Sequence, residues 1–220
     1  MIKNQEYLYS LRKCYLLEGI GDEQLTDAIR LLNGRIKKIE KDEFIVKLGG
    51  RLDNAGLLLK GRIESSFQNE SFDQITMHTF GGGYLFGEAL VINDAKNSPV
   101  QVRAVEDCIV LFIDLRAIYQ SDIHSPLRAI LTGNLIKSLA RKNLILNQKV
   151  RILSQKGLRD RILIYLQTLP KDKNGYVRIP FTQTILAEHL GVNRSALSRE
   201  LSRMQNEAVL IVEGKRMKLC

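Results

Sequence analysis

From Pro126 to Leu153 the chain runs without an internal proline, and Leu127, Leu131, Leu135, Leu139, Leu146, Val150 and Leu153 recur at helical spacing on one broad face. The pattern predicts a single long helix, and at about 1.5 Å per residue it would span roughly 40 Å. A compact domain of this size has no need of such a helix, so it is expected to pack along a second copy of itself. Asn134, Ser138 or Lys142 near the seam would then fix the register. A homodimer is the expected assembly. The helix also divides the chain into two parts of different pattern.

The part before it is punctuated by glycine. Short β-type runs at 36–39, 44–48, 57–59, 63–67, 74–80 and 100–113, the last broken at Glu106-Asp107, are separated by Gly49-Gly50, Gly61 and Gly81-Gly82-Gly83. Strands of this length at close spacing indicate a small antiparallel barrel or sandwich. A short helix should precede it at 21–33, with Asp22 as N-cap and Leu25, Ile29 and Leu32 facing inward. After the long helix the pattern is that of a second small domain. An amphipathic helix at 158–169 ends at Pro170, a polar turn at 171–175 leads to a strand at 176–179, and helices follow at 183–190 and 194–206. A hairpin pairs 209–212 with 217–219.

The charge is divided in the same way. The 220 residues carry a formal +9, but residues 1–136 hold 16 Lys/Arg against 18 Asp/Glu, whereas residues 137–220 hold 17 against 6. A polyanionic partner is therefore expected for the C-terminal third. The 45% hydrophobic content suffices for one large domain or two smaller ones. Its longest apolar runs, such as 108–113, are too short to cross a bilayer, and residues 1–6 lack the apolar stretch of a signal peptide. A cytoplasmic protein without a membrane partner is expected. Cys14, Cys108 and Cys220 are scattered, so no zinc site or disulfide framework is expected and the thiols should be buried or unreactive.

The stretch 182–204 has the pattern of a helix-turn-helix. Thr182 can cap the first helix, Ala187 is small where the second must approach, and Gly191 permits a left-handed turn. Leu186, Leu190, Val192, Leu197 and Leu201 supply the shared core. One face of the second helix is left free, and on it lie Arg194, Ser195, Ser198 and Arg199. There a recognition helix presents side chains to base edges in the major groove. Arg199 is the candidate for a two-pronged contact to guanine, while Thr182 and Gln183 suit phosphate contacts that orient the protein.

Three stretches resemble the family of the cyclic-AMP receptor protein and the fumarate-nitrate reduction regulator (CRP/FNR). Residues 191–201, Gly-Val-Asn-Arg-Ser-Ala-Leu-Ser-Arg-Glu-Leu, look like its recognition helix, and Leu59-Lys60-Gly61-Arg62-Ile63 looks like a strand and turn of its β-roll. Residues 83–90, Gly-Tyr-Leu-Phe-Gly-Glu-Ala-Leu, look like its cyclic-nucleotide cassette. The resemblance implies an α+β chain in three parts. They are an N-terminal β-roll (a double-stranded β-helix) over 1–122, a dimerisation helix over 123–153, and a C-terminal winged helix-turn-helix over 154–220.

The same resemblance implies a homodimeric transcription regulator that binds double-stranded DNA at an inverted repeat, with RNA polymerase a candidate further partner. Arg194, Ser198 and Arg199 match positions that the family uses at DNA, whereas Ser195 stands where a glutamate is usual. Gly87 and Glu88 match the ribose-binding end of the effector site. The Arg-Ser pair that holds the phosphate appears here as Ser98-Pro99, which offers neither a cation nor, at proline, an N–H. Leu146 and Asn147 fall where the dimer helix reaches the base. An effector less anionic than cyclic AMP is therefore expected, and no other cofactor. An iron–sulfur cluster needs several neighbouring thiolates, and Cys14 stands alone in its region. Haem would rest on a lone His78 or His124. An enzyme built on Glu88 with either histidine lacks a nucleophile–base–orienter set. The remaining alternative, a cyclic-nucleotide-binding module acting on a protein partner, does not account for Arg194, Arg199 and Arg203.

Overall fold

The structure, a computed structural model, describes residues 5–68, 74–119 and 125–220; the expected boundary at 122–123 and His124 lie outside them. The chain forms two compact units, Met1–Ala140 and Arg141–Cys220.

In the first unit, helix α1 (Gln5–Lys13) leads through a 3₁₀ turn at Tyr15–Leu17 to α2 (Asp22–Leu31). Gly21, not Asp22, holds the N-cap position of α2 and makes no side-chain cap; Asp22 instead places its charge in the first turn, where the helix dipole favours it. Strands β1 (Arg35–Ile39), β2 (Phe44–Val46), β3 (Ala55–Lys60), β4 (Ile63–Gln68), β5 (Gln74–Phe80) and β6 (Leu85–Phe86) follow. Then come a short helix α3 (Glu88–Ile92), β7 (Gln101–Ala104) and β8 (Cys108–Ile113). They form two four-stranded antiparallel sheets, in the orders β1-β8-β3-β6 and β2-β7-β4-β5.

Strand β3 shows why the sheets stack as a β-roll. Its apolar run Ala-Gly-Leu-Leu-Leu is buried on both faces, as a central strand covered from two sides requires. Leu58 points with Val46, Ile63, Phe86, Val102 and Val110 into the core between the sheets. Ala55, Leu57 and Leu59 point the other way and pack with Leu11, Leu16, Leu25, Ala28 and Leu32 of the helical layer. Gly56 faces the inter-sheet core, where an added Cβ would lie 2.1 Å from Phe86 Cζ. Gly56→Ala is expected to destabilise the unit by about 1–3 kcal/mol through overpacking. An unchanged urea midpoint would show that the Phe86 ring has room to move aside.

Helix α4 (Pro126–Leu153) has the predicted bounds, and the division between the two units falls within it. In the first unit Leu127, Leu131, Leu135 and Leu139 pack on the helical layer's core. Asn134 and Ser138 share this inward face and are buried, which overturns their expected place at a dimer seam. Asn134 Nδ2 donates to the carbonyls of Leu16 at 3.1 Å and Glu18 at 2.7 Å, so it satisfies the exit of the 3₁₀ turn within its own chain.

The second unit contains the end of α4, then α5 (Leu158–Thr168), β9 (Val177–Arg178), α6 (Gln183–His189), α7 (Arg194–Asn206), β10 (Leu210–Glu213) and β11 (Arg216–Leu219). The last two strands close a hairpin through Gly214-Lys215, and β9 completes a three-stranded sheet in the order β10-β11-β9. Ile152, Ile162, Leu166, Leu186, Leu190, Leu197, Leu201, Met204 and Met217 form its core. The arrangement is a winged helix-turn-helix. Cys14 and Cys108 are buried as expected, whereas Cys220 is exposed. Among the described residues no helix is long and apolar enough to cross a membrane.

Candidate functional sites

The helix-turn-helix is shaped by two side-chain caps and one glycine. Thr182 Oγ1 accepts the Ile185 amide at 3.4 Å at the start of α6, as its position predicts. Gly191 takes φ +69° in the turn, a conformation that L side chains rarely adopt. Asn193, which the sequence reading passed over, caps α7 by accepting the Ala196 amide at 2.8 Å and the Ser195 hydroxyl at 2.8 Å. An asparagine two residues past a turn glycine and just before a helix is a signal that N-cap preference could have supplied.

With Leu197, Leu201 and Met204 turned inward, α7 exposes Arg194, Ser195, Ser198 and Arg199 together, and Thr182 and Gln183 are exposed at the start of α6. The six residues predicted for DNA thus lie on the two helices of one motif. Ser195 is committed to the cap, which leaves its hydroxyl less available to a base. Among the described residues no carboxylate pairs with Arg194 or Arg199.

The acidic residues of α7 are engaged elsewhere. Arg159 on α5 reaches Glu200 at 2.8 Å and Glu207 at 2.6 Å, and Arg203 adds a longer contact to Glu207 at 3.3 Å. The Arg159 hydrogen bond lowers the Glu207 carboxyl's pKa, and bonding to Glu207 and Glu200 raises that of the Arg159 guanidinium. The negative charge of α7 is thus neutralised on its α5 side, and the opposite face is left positive. Arg159 could not be found by local pattern, because its partners lie 41 and 48 residues away.

In the β-roll, Gly87 takes φ +76° as the N-cap of α3, and Leu52 lies directly over it, 2.2 Å from where a Cβ would stand. Glu88 is buried in the first turn of α3. Next to it Tyr84 stacks on Phe80 with ring centroids 3.7 Å apart and planes 7° apart. Burial, and secondarily the Glu88 charge, push the Tyr84 phenol well above its ordinary pKa. This aromatic pair was not anticipated.

Ser98 is buried. Its hydroxyl donates to the Val100 carbonyl at 2.5 Å, and its backbone is paired with Gly49 and Gly50, while Pro99 is exposed. Arg103, five residues on, is held by Glu64 at 2.7 Å and Asp42 at 3.1 Å. The residues therefore do not fit the phosphate of a cyclic nucleotide: the serine donor is used, proline has none, and the arginine is neutralised. Leu146 and Asn147 lie on an exposed part of α4 in the second unit, where Asn147 Nδ2 donates to Asn143 Oδ1 at 2.7 Å.

Two family models match the chain: a cyclic nucleotide-binding domain over residues 36–121 and a Crp-like helix-turn-helix domain over residues 160–220. No curated protein sequence matches it closely enough to count as a relative. Among solved structures, the c-di-GMP responsive global regulator CLP of Xanthomonas campestris is similar at 18% identity and a TM-score of 0.59, over 90% of this chain and 99% of that one. FixK2 of Bradyrhizobium japonicum is similar at 15% identity and 0.52, over 84% and 92%. The catabolite activator protein of Thermus thermophilus is similar at 19% identity and 0.50, over 94% and 93%. At these identities the likeness is one of fold.

Proposed function

The chain belongs to the CRP/FNR family of transcription regulators, a cyclic nucleotide-binding domain followed by a Crp-like helix-turn-helix, and we propose that it binds an inverted-repeat operator as a homodimer under the control of a small molecule held in the β-roll. The observation that carries this reading is the exposed face of α7, where Arg194 and Arg199 stand free of the carboxylates that Arg159 engages. Two such faces related by a two-fold axis would enter successive major grooves with centres about 34 Å apart. Glu200 and Glu207, turned to α5, would not repel the backbone phosphates.

The dimer is supported by α4. On the side away from its own core, Ala129, Gly133, Ile136, Ala140, Asn143, Asn147 and Val150 alternate at spacings of four and three, the repeat of a two-stranded coiled coil. Ile136 and Val150 are 62% and 58% exposed there. The hydrogen-bonded pair Asn143 and Asn147 supplies polar positions of the kind that fix register. We assign Asn147 to this seam. For the effector, Gly87, Glu88, Ser98 and Pro99 are the proposed contacts in the β-roll, with Phe80 and Tyr84 as an aromatic wall. A planar ligand without a phosphate suits that set.

Selection from a random-sequence DNA library, without and with added cyclic AMP or an extract of small metabolites, tests the reading. One enriched inverted repeat, with its recovery unaffected by cyclic AMP, is the expected result. A failure to enrich any sequence under these conditions would overturn it.

A further inference from the structure

The last turn of α4 is built into the helix-turn-helix unit. Ile152 is wholly buried in that unit's core, and Leu153 Cδ2 lies 3.0 Å from where a Cβ on Gly191 would stand. The first two of the four residues between α4 and α5 are hydrogen-bonded back onto the helix: the Ser154 amide donates to Val150 O at 2.9 Å and the Gln155 amide to Ile152 O at 3.2 Å. Arg161 on α5 spans the two segments. Its Nε donates to the Gln155 carbonyl at 3.0 Å and its Nη1 to the Leu190 carbonyl at 3.1 Å. Leu190 is the fully buried C-cap of α6, whose carbonyl the helix itself leaves without a partner. One planar guanidinium therefore holds the exit of α4 and the turn before α7 at once, a geometry that its fixed fork of donors suits and a single ammonium does not.

We propose that Arg161 is a positioning residue that locks the end of α4 to the helix-turn-helix turn, so that the recognition helix follows the dimer helix as one piece. The proposal rests on the dimeric DNA-binding reading. Under it, the spacing of the two recognition helices is set by α4 pairing and transmitted through Arg161. A change in α4 caused by an effector would reach α7 by the same route. Any swivel that separates the DNA-binding head from the effector domain must then lie within α4, N-terminal to Ile152, and not in the connection at 154–157.

The test compares wild type, Arg161→Ala and Arg161→Lys on three DNAs: the selected inverted repeat, an isolated half-site, and repeats with the spacer changed by one or two base pairs. Each base pair turns one half-site by roughly 35° about the duplex axis, so a locked dimer discriminates among spacers. For Arg161→Ala the advantage of the full repeat over the half-site is expected to fall about tenfold or more, with spacer preference flattened. Half-site affinity should stay within about twofold. Arg161→Lys, with the same charge and one donor group, is expected to behave like the alanine variant.

Parallel loss on half-site and full repeat with spacer preference intact would reduce Arg161 to a local structural role. Full rescue by lysine would make charge the relevant property. Either result overturns the proposal. Amide exchange reads the lock without DNA. In Arg161→Ala the amides of Ser154 and Gln155 should accelerate together with those of Gly191 and Val192, which are bonded to Glu188 O and Ala187 O. Acceleration confined to 154–155 also overturns it. A wild type that selects no repeat at all would instead end the regulator reading, with the exchange result still deciding the lock.

Discussion

Arg199→Ala is expected to abolish discrimination between operator and scrambled DNA while leaving the fold untouched. The side chain is exposed on α7, on the face opposite Leu197, Leu201 and Met204, and makes no ion pair with a described carboxylate, so its removal opens no cavity and orphans no partner. A bidentate arginine–guanine contact contributes about 1–3 kcal/mol of discrimination. A two-fold symmetric complex loses two of them, about 2–6 kcal/mol, or roughly 30-fold to 10⁴-fold in affinity for the operator. Non-specific binding should persist, because the remaining lysines and arginines of the second unit still meet the phosphates. Arg199→Lys should fail to restore discrimination, since an ammonium cannot present two parallel donors. Anisotropy titrations on both DNAs at several salt concentrations check this. A base contact predicts a large drop on the operator with little change in salt slope. Equal weakening on both DNAs, matched by a control at exposed Arg178, would make Arg199 a phosphate contact.

The elements that carry this prediction were legible because their signals are local. Helix α7 begins and ends where the sequence places it, between the Gly191 turn and the hairpin, and α4 starts at its proline. Most strands lie within two residues of their apolar runs. What escaped was either too short or too distant to leave a pattern. Strand β6 is two residues and α3 five, below the length at which periodicity is measurable. Arg161 binds main-chain carbonyls, which have no residue identity to recognise, and Arg159 pairs with glutamates on another helix.

The places of Asn134 and Ser138 were misjudged for a different reason. Helix α4 carries two apolar faces, one of leucines and one of small residues around Ile136, and hydrophobicity singles out the leucines. The structure packs Leu127, Leu131, Leu135 and Leu139 on the chain's own core, while Leu146 and Val150 of the same predicted face stay exposed. At the proposed effector site the departure at Ser98-Pro99 was visible in sequence, but the commitment of Arg103 to Glu64 and Asp42 was not, since it depends on cross-strand register.

Ile136→Glu is the second large effect, and it separates the two faces of α4. Ile136 occupies the centre of the proposed seam, 62% exposed in the isolated chain. Two-fold pairing would bring it against its own copy, so the substitution removes apolar burial twice and sets two carboxylates together. Fully burying an isoleucine contributes about 1.5–3 kcal/mol. With 62% of each residue left to bury, the two copies together lose about 2–4 kcal/mol before repulsion is counted, which is roughly 30-fold to 10³-fold in the dimerisation constant. Sedimentation should show a monomer at micromolar concentration, with the thermal transition of the separate units little changed because the residue touches neither core. The monomer should keep half-site affinity and lose the full-repeat advantage. Asn134→Ala should do the reverse. It removes the Asn134 donor from the Leu16 and Glu18 carbonyls and the buried amide from the first unit, about 1–3 kcal/mol of stability, while the seam on the opposite side of the helix still pairs. If Asn134→Ala proved monomeric and Ile136→Glu remained a dimer, the seam would lie on the leucine face after all, and the packing of that face on the chain's own core would have to open for the dimer to form.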